Sequence, residues 1–225
     1  MSFSSISLEA IQRVHTNRKR MVQALIFPFI ALVVVDLLQG LEPKGAMAMA
    51  LNILGMLINT LFAVTTHRII LIGDHAVPPF GLSRWTKRET SFLLHTLAFA
   101  LIFMPFVLVG MFATSGFWVL IPGLICISWL AARLSLVFPA IAIEDENAGF
   151  KLAWELSRGK TGFMLAVVFL LPVISIVISY PLLILPGTDA IASMLGTIIL
   201  VYEVAILSLA YESLSQKHSE HIINV

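Results

Sequence analysis

Residues 21–38 read MVQALIFPFIALVVVDLL, eighteen positions with a single charge at Asp36. A helix crossing the hydrocarbon core of a bilayer takes about 20 apolar residues, and this run has that length and that composition. Working outward, similar runs recur at about 47–72, 91–112, 117–143, 162–185 and 190–214. Hydrophobic residues form 59% of the 225-residue chain, about 133 positions, which is enough for six spans and little else. Charged residues form 12%, against about 25% in an ordinary soluble domain. A soluble enzyme, a disordered chain and a nucleic-acid-binding domain are excluded. The expected fold is all-α, a polytopic membrane bundle of six transmembrane helices with short cytoplasmic interfacial helices. It divides into an amphipathic segment 1–20, a transmembrane domain 21–214 and a tail 215–225.

The net charge is +1, so the placement of charge says more than its sum. Arg13, Arg18, Lys19 and Arg20 precede the first run, and Arg84, Lys87 and Arg88 follow the second. Lys151, Arg158 and Lys160 follow the fourth, and Lys217 lies in the tail. These eleven face only Lys44 on the other side. Basic loops stay in the cytoplasm, so both termini are expected there. Basic residues before an apolar run, with Ala46 and Ala48 after it, imitate a cleavable leader. The run is too long and the small residues lie past a polar gap, so a retained anchor is expected. The lone Cys126 has no partner for a disulfide or a zinc motif and reads as a small buried hydrophobe.

On the basic side, Ser7 and Glu9 suit the start of a helix running from Ser5 to Arg20, with Ala10, Ile11 and Val14 as its apolar stripe. Thr86 and Glu89 form a capping box ahead of the third run. Asn147 can cap a helix that Gly159 ends. On it Lys151, Glu155 and Arg158 share one face, while Phe150 and Trp154 belong to the apolar remainder, as in a helix lying at the interface. The alternative is a helix docked on the protein's own loops. Phe80 to Trp85 echoes Phe150 to Trp154, each about six residues after an acid, Asp74 or Glu144. This suggests a parallel repeat of spans two–three and four–five.

Ionisable residues inside a membrane face a partner or a cavity. Arg133 and Glu203 lie at similar depth in spans four and six and are expected to pair, either to fix register or to form a site. Asn52 and Asn59 share a face of span two, to which Thr66 adds, as groups that join helices or line a polar groove. His67, Asp74, His75 and His95 cluster near the basic ends of spans two and three. They would suit a proton relay or, without ligand spacing to support it, a metal. No metal, cofactor or catalytic residue is assigned. Pro28, Pro105, Pro122, Pro139, Pro172 and Pro181 fall inside the spans, where each breaks or bends its helix.

The stretch from Arg133 through Pro139 to Glu144, followed by Ala153-Trp154-Glu155-Leu156-Ser157-Arg158-Gly159-Lys160, resembles a known pattern. It is similar to the membrane domain of glycerophosphoryl diester phosphodiesterases and to related small bacterial inner-membrane proteins. The resemblance covers about 28 residues and marks Arg133, Pro139, Glu144, Ser157 and Gly159. It implies a bacterial inner membrane but no phosphodiesterase activity. The catalytic His-Arg-Gly of that family is imitated only by His67-Arg68, which continues with Ile69. Three functions follow from these readings. The foremost is a non-enzymatic accessory or scaffold subunit of a membrane complex, with membrane lipids and an integral membrane complex as partners and no nucleic acid. The second is a lipid or small-molecule translocator using Arg133 and Glu203. The third is an enzyme acting on lipid headgroups through the histidine cluster.

Overall fold

The computed structural model describes residues 2–78, 80, 85–112, 120–185 and 188–223. Among these the regular structure is helical: α1 (Phe3–Thr16), α2 (Arg18–Gly40), α3 (Ala46–Leu71), α4 (Lys87–Phe112) and α5 (Leu120–Leu134). It continues with α6 (Val137–Ala142), α7 (Phe150–Leu156), α8 (Thr161–Leu165), α9 (Leu171–Ile184) and α10 (Asp189–Ile223). Among the described residues, five stretches are long and apolar enough to cross a membrane: Arg18–Gly40, Ala46–Leu71, Ile121–Ala142, Thr161–Leu182 and Ala190–His218. The expected third span lies in α4, 26 residues long. Its last side chains are only partly described, and the Ala113–Gly116 connection lies outside the described residues.

Helix α10 organises the bundle by packing against α1, α2, α3 and α9. The core sits toward the end that carries the basic residues, where Phe62, Leu136, Val137, Ala140, Ala205 and Ala210 are all fully buried. The most extensive helix pair is α2 with α3. Gly55 explains how closely these approach: a Cβ there would lie 3.4 Å from Val35 Cγ1. Small residues at such crossings let apolar helices gain dispersion contact where no hydrophobic effect drives them together.

Two proline positions coincide with interruptions. Pro139 has no N–H to return to the Ser135 carbonyl, and α5 gives way to a turn at 135–136 before α6 begins. Pro172 likewise leaves the Val168 carbonyl without its partner, and the turn before it, Ala166–Leu170, widens to a π-helix. Pro28, Pro105 and Pro181 instead lie inside continuous helices, and Pro122 occupies the first turn of α5. The helix is thus not broken at Pro28, Pro105 or Pro181.

Other expectations change at the basic end. Ser2 caps α1 by accepting from the Ser5 amide, while Ser7 lies inside the helix and donates to the Phe3 carbonyl. Helix α1 docks on α10 through Ile6, Ala10 and Val14, a stripe spaced four residues apart, and Ile11 faces outward. Asn147 does not cap α7; its amide donates to Asp145 Oδ1 at 2.9 Å, and Gly149 precedes the helix. Gly159 closes that segment with φ at +71°, a conformation in which a side chain would be strained. The expected tail from 215 continues α10 as far as Ile223. The capping box holds: the Thr86 amide donates to Glu89 Oε2 at 2.8 Å. The suggested repeat depends on residues 81–84, which lie outside the described residues.

Candidate functional site

Helix α7 is short and leaves its last carbonyls without helical partners. Arg133, in the last turn of α5, supplies one. Its Nη2 donates to the Trp154 carbonyl at 2.6 Å and its Nε donates to Ser157 Oγ at 2.8 Å. The guanidinium stacks on the Trp154 ring, with Cζ 4.1 Å from the centroid, and Trp129 meets Trp154 edge-on at 5.2 Å. Ser157 is fully buried. Arg133 is thus consumed by this clasp, and the expected pairing with Glu203 does not form. The physical reason is proximity: the turns between α6 and α7 bring α7 back against α5, where it and Ser157 offer the guanidinium two oxygens and a π face. Ala153 and Leu156 bury the inner side of α7, while Lys151, Glu155 and Arg158 stay exposed. Phe150 is half-buried against the His95 ring at 5.1 Å. Helix α7 is therefore docked by one face on α5, α6 and α10, and its other face is exposed.

The positions marked by the resemblance fall in and around this clasp. Pro139 is buried, and Glu144 adopts φ +61° at the exit of α6. There Glu144 lies 3.5 Å from both Arg68 and Arg88, joining α3 to α4. Arg88 in turn grips Glu89 through Nε at 2.9 Å and Nη2 at 2.5 Å. Burial pushes the Glu89 carboxyl up, but hydrogen bonds from Thr86 and Arg88 outweigh it and hold it below the ordinary carboxylate range. Arg13 bridges Glu9 on α1 to Glu212 on α10, both at 2.9 Å. Tyr211 donates to Asp145. Arg13, Arg68, Arg88, Glu144 and Glu212 thus hold helices of this end to one another.

Of the four residues expected to form a polar cluster, His67 and His95 have separate surroundings. His67 is buried and its Nδ1 lies 2.7 Å from Ser208 Oγ, which donates to the Val204 carbonyl. His95 bonds the Ser91 carbonyl of its own helix. His75 is exposed beside Gly73, and Asp74 is placed in a short 3₁₀ turn. Among the described residues no three metal-ligating side chains converge.

Open space meets polar side chains elsewhere, and Thr197 Oγ1 donates to the Ser193 carbonyl there at 2.9 Å. Between α2, α3, α9 and α10 lies a cleft of about 380 Å³ lined by Asp36, Asn59, Ser175, Ser193, Thr197 and Glu203. Ser193 Oγ donates to Asp36 Oδ2 at 2.6 Å. Glu203 is half-buried and makes no hydrogen bond or ion pair among the described residues. It lies ten residues beyond Ser193 on α10, about 15 Å along the helix. The lining thus holds two carboxylic groups, an amide and three hydroxyls, with no basic side chain. Pro172, just after the π-turn, borders the same cleft from α9. The expected stripe on span two divides: Asn59 lines the cleft, Asn52 accepts from Gln39 Nε2 at 3.1 Å, and Thr66 bonds its own helix.

Ser193 and Thr197 were not among the residues expected from sequence. Their signal was present: Ser193, Thr197, Leu200 and Glu203 follow helical spacing and share one face of α10. Compared with family models, with curated proteins and with solved structures, the chain matches none of them.

Proposed function

We propose that this chain is a non-enzymatic, six-span membrane protein that binds and passes a small cationic solute, protons included, through the cleft between α2, α3, α9 and α10. The observation that carries the reading is Glu203. A carboxyl placed mid-helix in an apolar segment, without a protein partner and facing open space, requires a counter-ion, a proton or water. Asp36 places a second acid at the far end of the cleft, and the hydroxyls between them supply oxygen ligands of the kind that hard cations take. This keeps the translocator reading and removes Arg133 from it, since the clasp accounts for that residue. The orientation that accompanies it, with both termini cytoplasmic in a bacterial inner membrane, rests on the eleven-to-one distribution of basic residues and on the family resemblance.

The test is flux. Proteoliposomes loaded with a pH-sensitive dye and given a potassium diffusion potential should acidify faster with the protein than without it. Glu203→Gln should reduce that rate at least about tenfold, the effect of about 1.4 kcal/mol at a required group. Equal rates for empty vesicles, wild type and Glu203→Gln would sink the proposal for protons, and the same assay with monovalent metal ions would extend that result.

An accessory role retains one specific observation in its favour. Helix α9 presents Val173, Ile176, Val177, Ile178 and Tyr180 outward, and its Ser179 hydroxyl is buried without a partner among the described residues. A helix of a partner subunit would cover that apolar face. Co-purification of a stoichiometric membrane protein in mild detergent, lost on Ile176→Lys, would establish it.

A further inference from the structure

A second cavity lies on the opposite side of α10, where the α1–α2 corner meets it. It is an apolar groove of about 290 Å³ whose walls include Met21, Leu25, Phe29, Phe62, Val201 and Tyr202. Its only charged lining residue is Arg18, the first residue of α2. We propose that this groove seats an acyl chain of an anionic phospholipid, with the headgroup phosphate held by Arg18.

Length argues for a lipid over a helix. Along α2 the groove runs from Arg18 to Phe29, eleven residues or about 16 Å by the helical rise. That is roughly half the ~30 Å hydrocarbon core, the depth of a single leaflet. A transmembrane partner helix would pack along the full thickness and would leave a seam twice as long.

Charge argues for an anionic headgroup. Arg18 Nη1 lies 2.6 Å from His15 Nε2, which anchors one side of the guanidinium. Its Nε and Nη2 have no protein partner among the described residues, so a forked pair of donors remains for a phosphate. Exposed Lys19 is the next residue along the chain. The carboxylates of this end that could compete, Glu9 and Glu212, are both taken by Arg13. The break at Asn17 between α1 and α2 sets Arg18 at the groove's mouth. The site is independent of the acidic cleft and stands or falls without it.

The test uses the full chain, purified in detergent, stripped of lipid and examined by native mass spectrometry. The probes are phosphatidylglycerol and phosphatidylcholine with identical acyl chains. Wild type should retain phosphatidylglycerol about tenfold more than phosphatidylcholine, the worth of one charge-assisted contact. Arg18→Gln should bring the two lipids level. Val22→Trp, placed at a lining position that is 63% exposed and so without cost to the core, should fill the groove and remove both. Equal retention by wild type, or undiminished preference in Arg18→Gln, would overturn the proposal. So would a dimer seated on this groove that blocks lipid uptake.

Discussion

Arg133 and Ser157 bond each other in both directions. The Arg133 Nε donates to Ser157 Oγ at 2.8 Å, and the Ser157 hydroxyl reaches back to the Arg133 carbonyl at 3.1 Å. The two lie 24 residues apart, on either side of α6 and the following loop. That reciprocal bond closes the segment into one unit and makes a charge expected to pair with Glu203 a fastener of α5 to α7 instead.

Removing the hydroxyl leaves a buried guanidinium edge without its acceptor. Ser157→Ala should therefore lower stability by about 1–3 kcal/mol, since a lost partner costs more than the bond itself is worth. The melting midpoint in detergent measures it, and an unchanged midpoint would show that the clasp is incidental.

Arg133→Lys preserves the charge but not the planar stack on Trp154 or the fork of donors. It should cost about 1–2 kcal/mol and change the tryptophan fluorescence of the folded protein. A variant with wild-type stability and emission would show that a point charge at Arg133 suffices.

Glu89 gives the basic end an acid limit. Its carboxyl is held below the ordinary range in the folded state, so its contribution is complete above the unfolded value of about 4.3 and fades as pH falls through the folded value. The melting midpoint should decline as pH drops below about 4.3, with a weaker decline in Glu89→Gln. At pH 7 that variant should already be destabilised, by about 1–3 kcal/mol for the charged hydrogen bonds lost. Parallel pH profiles for the two proteins would remove Glu89 from the account.

Gly55→Leu should separate α2 from α3. The first added carbon already reaches Val35 Cγ1 at 3.4 Å, so three more must displace that neighbour. Overpacking of this kind costs about 1–3 kcal/mol, whereas Gly55→Ala should be close to neutral. Thermal melts of the two variants side by side distinguish crowding from loss of glycine.

The all-helical class and the five span-length apolar stretches were legible because span length and hydropathy depend on single residues read in order. The capping box at Thr86 and Glu89 was legible for the same reason. The partners of Arg133 were not, because the turns at 143–149 between α6 and α7, with Glu144 at φ +61°, return the chain to α5, and depth along a helix does not say which neighbour a turn will deliver. The docking of α1 was half legible: Ala10 and Val14 lay on the expected stripe, but Ile6 in place of Ile11 completes it, which depends on where α10 lies. The cleft needed four helices to converge. Glu203 and Asn59 stood out by polarity in apolar runs, whereas Ser193 and Thr197 are small hydroxyls that membrane helices commonly satisfy on their own backbone, as Thr66 does.

The central claim is that the cleft admits water and favours cations, and thiol labelling at Ser175 tests it most directly. Ser175 lines the cleft and is half-buried. In a Cys126→Ala background, Ser175→Cys would be treated with methanethiosulfonates bearing either a trimethylammonium or a sulfonate group, each rate normalised to a free thiol. Two nearby carboxylates should make the cationic reagent react about tenfold faster, and Glu203→Gln should reduce that preference. A thiol that neither reagent modifies in the folded protein, or one modified equally by both, would contradict the account.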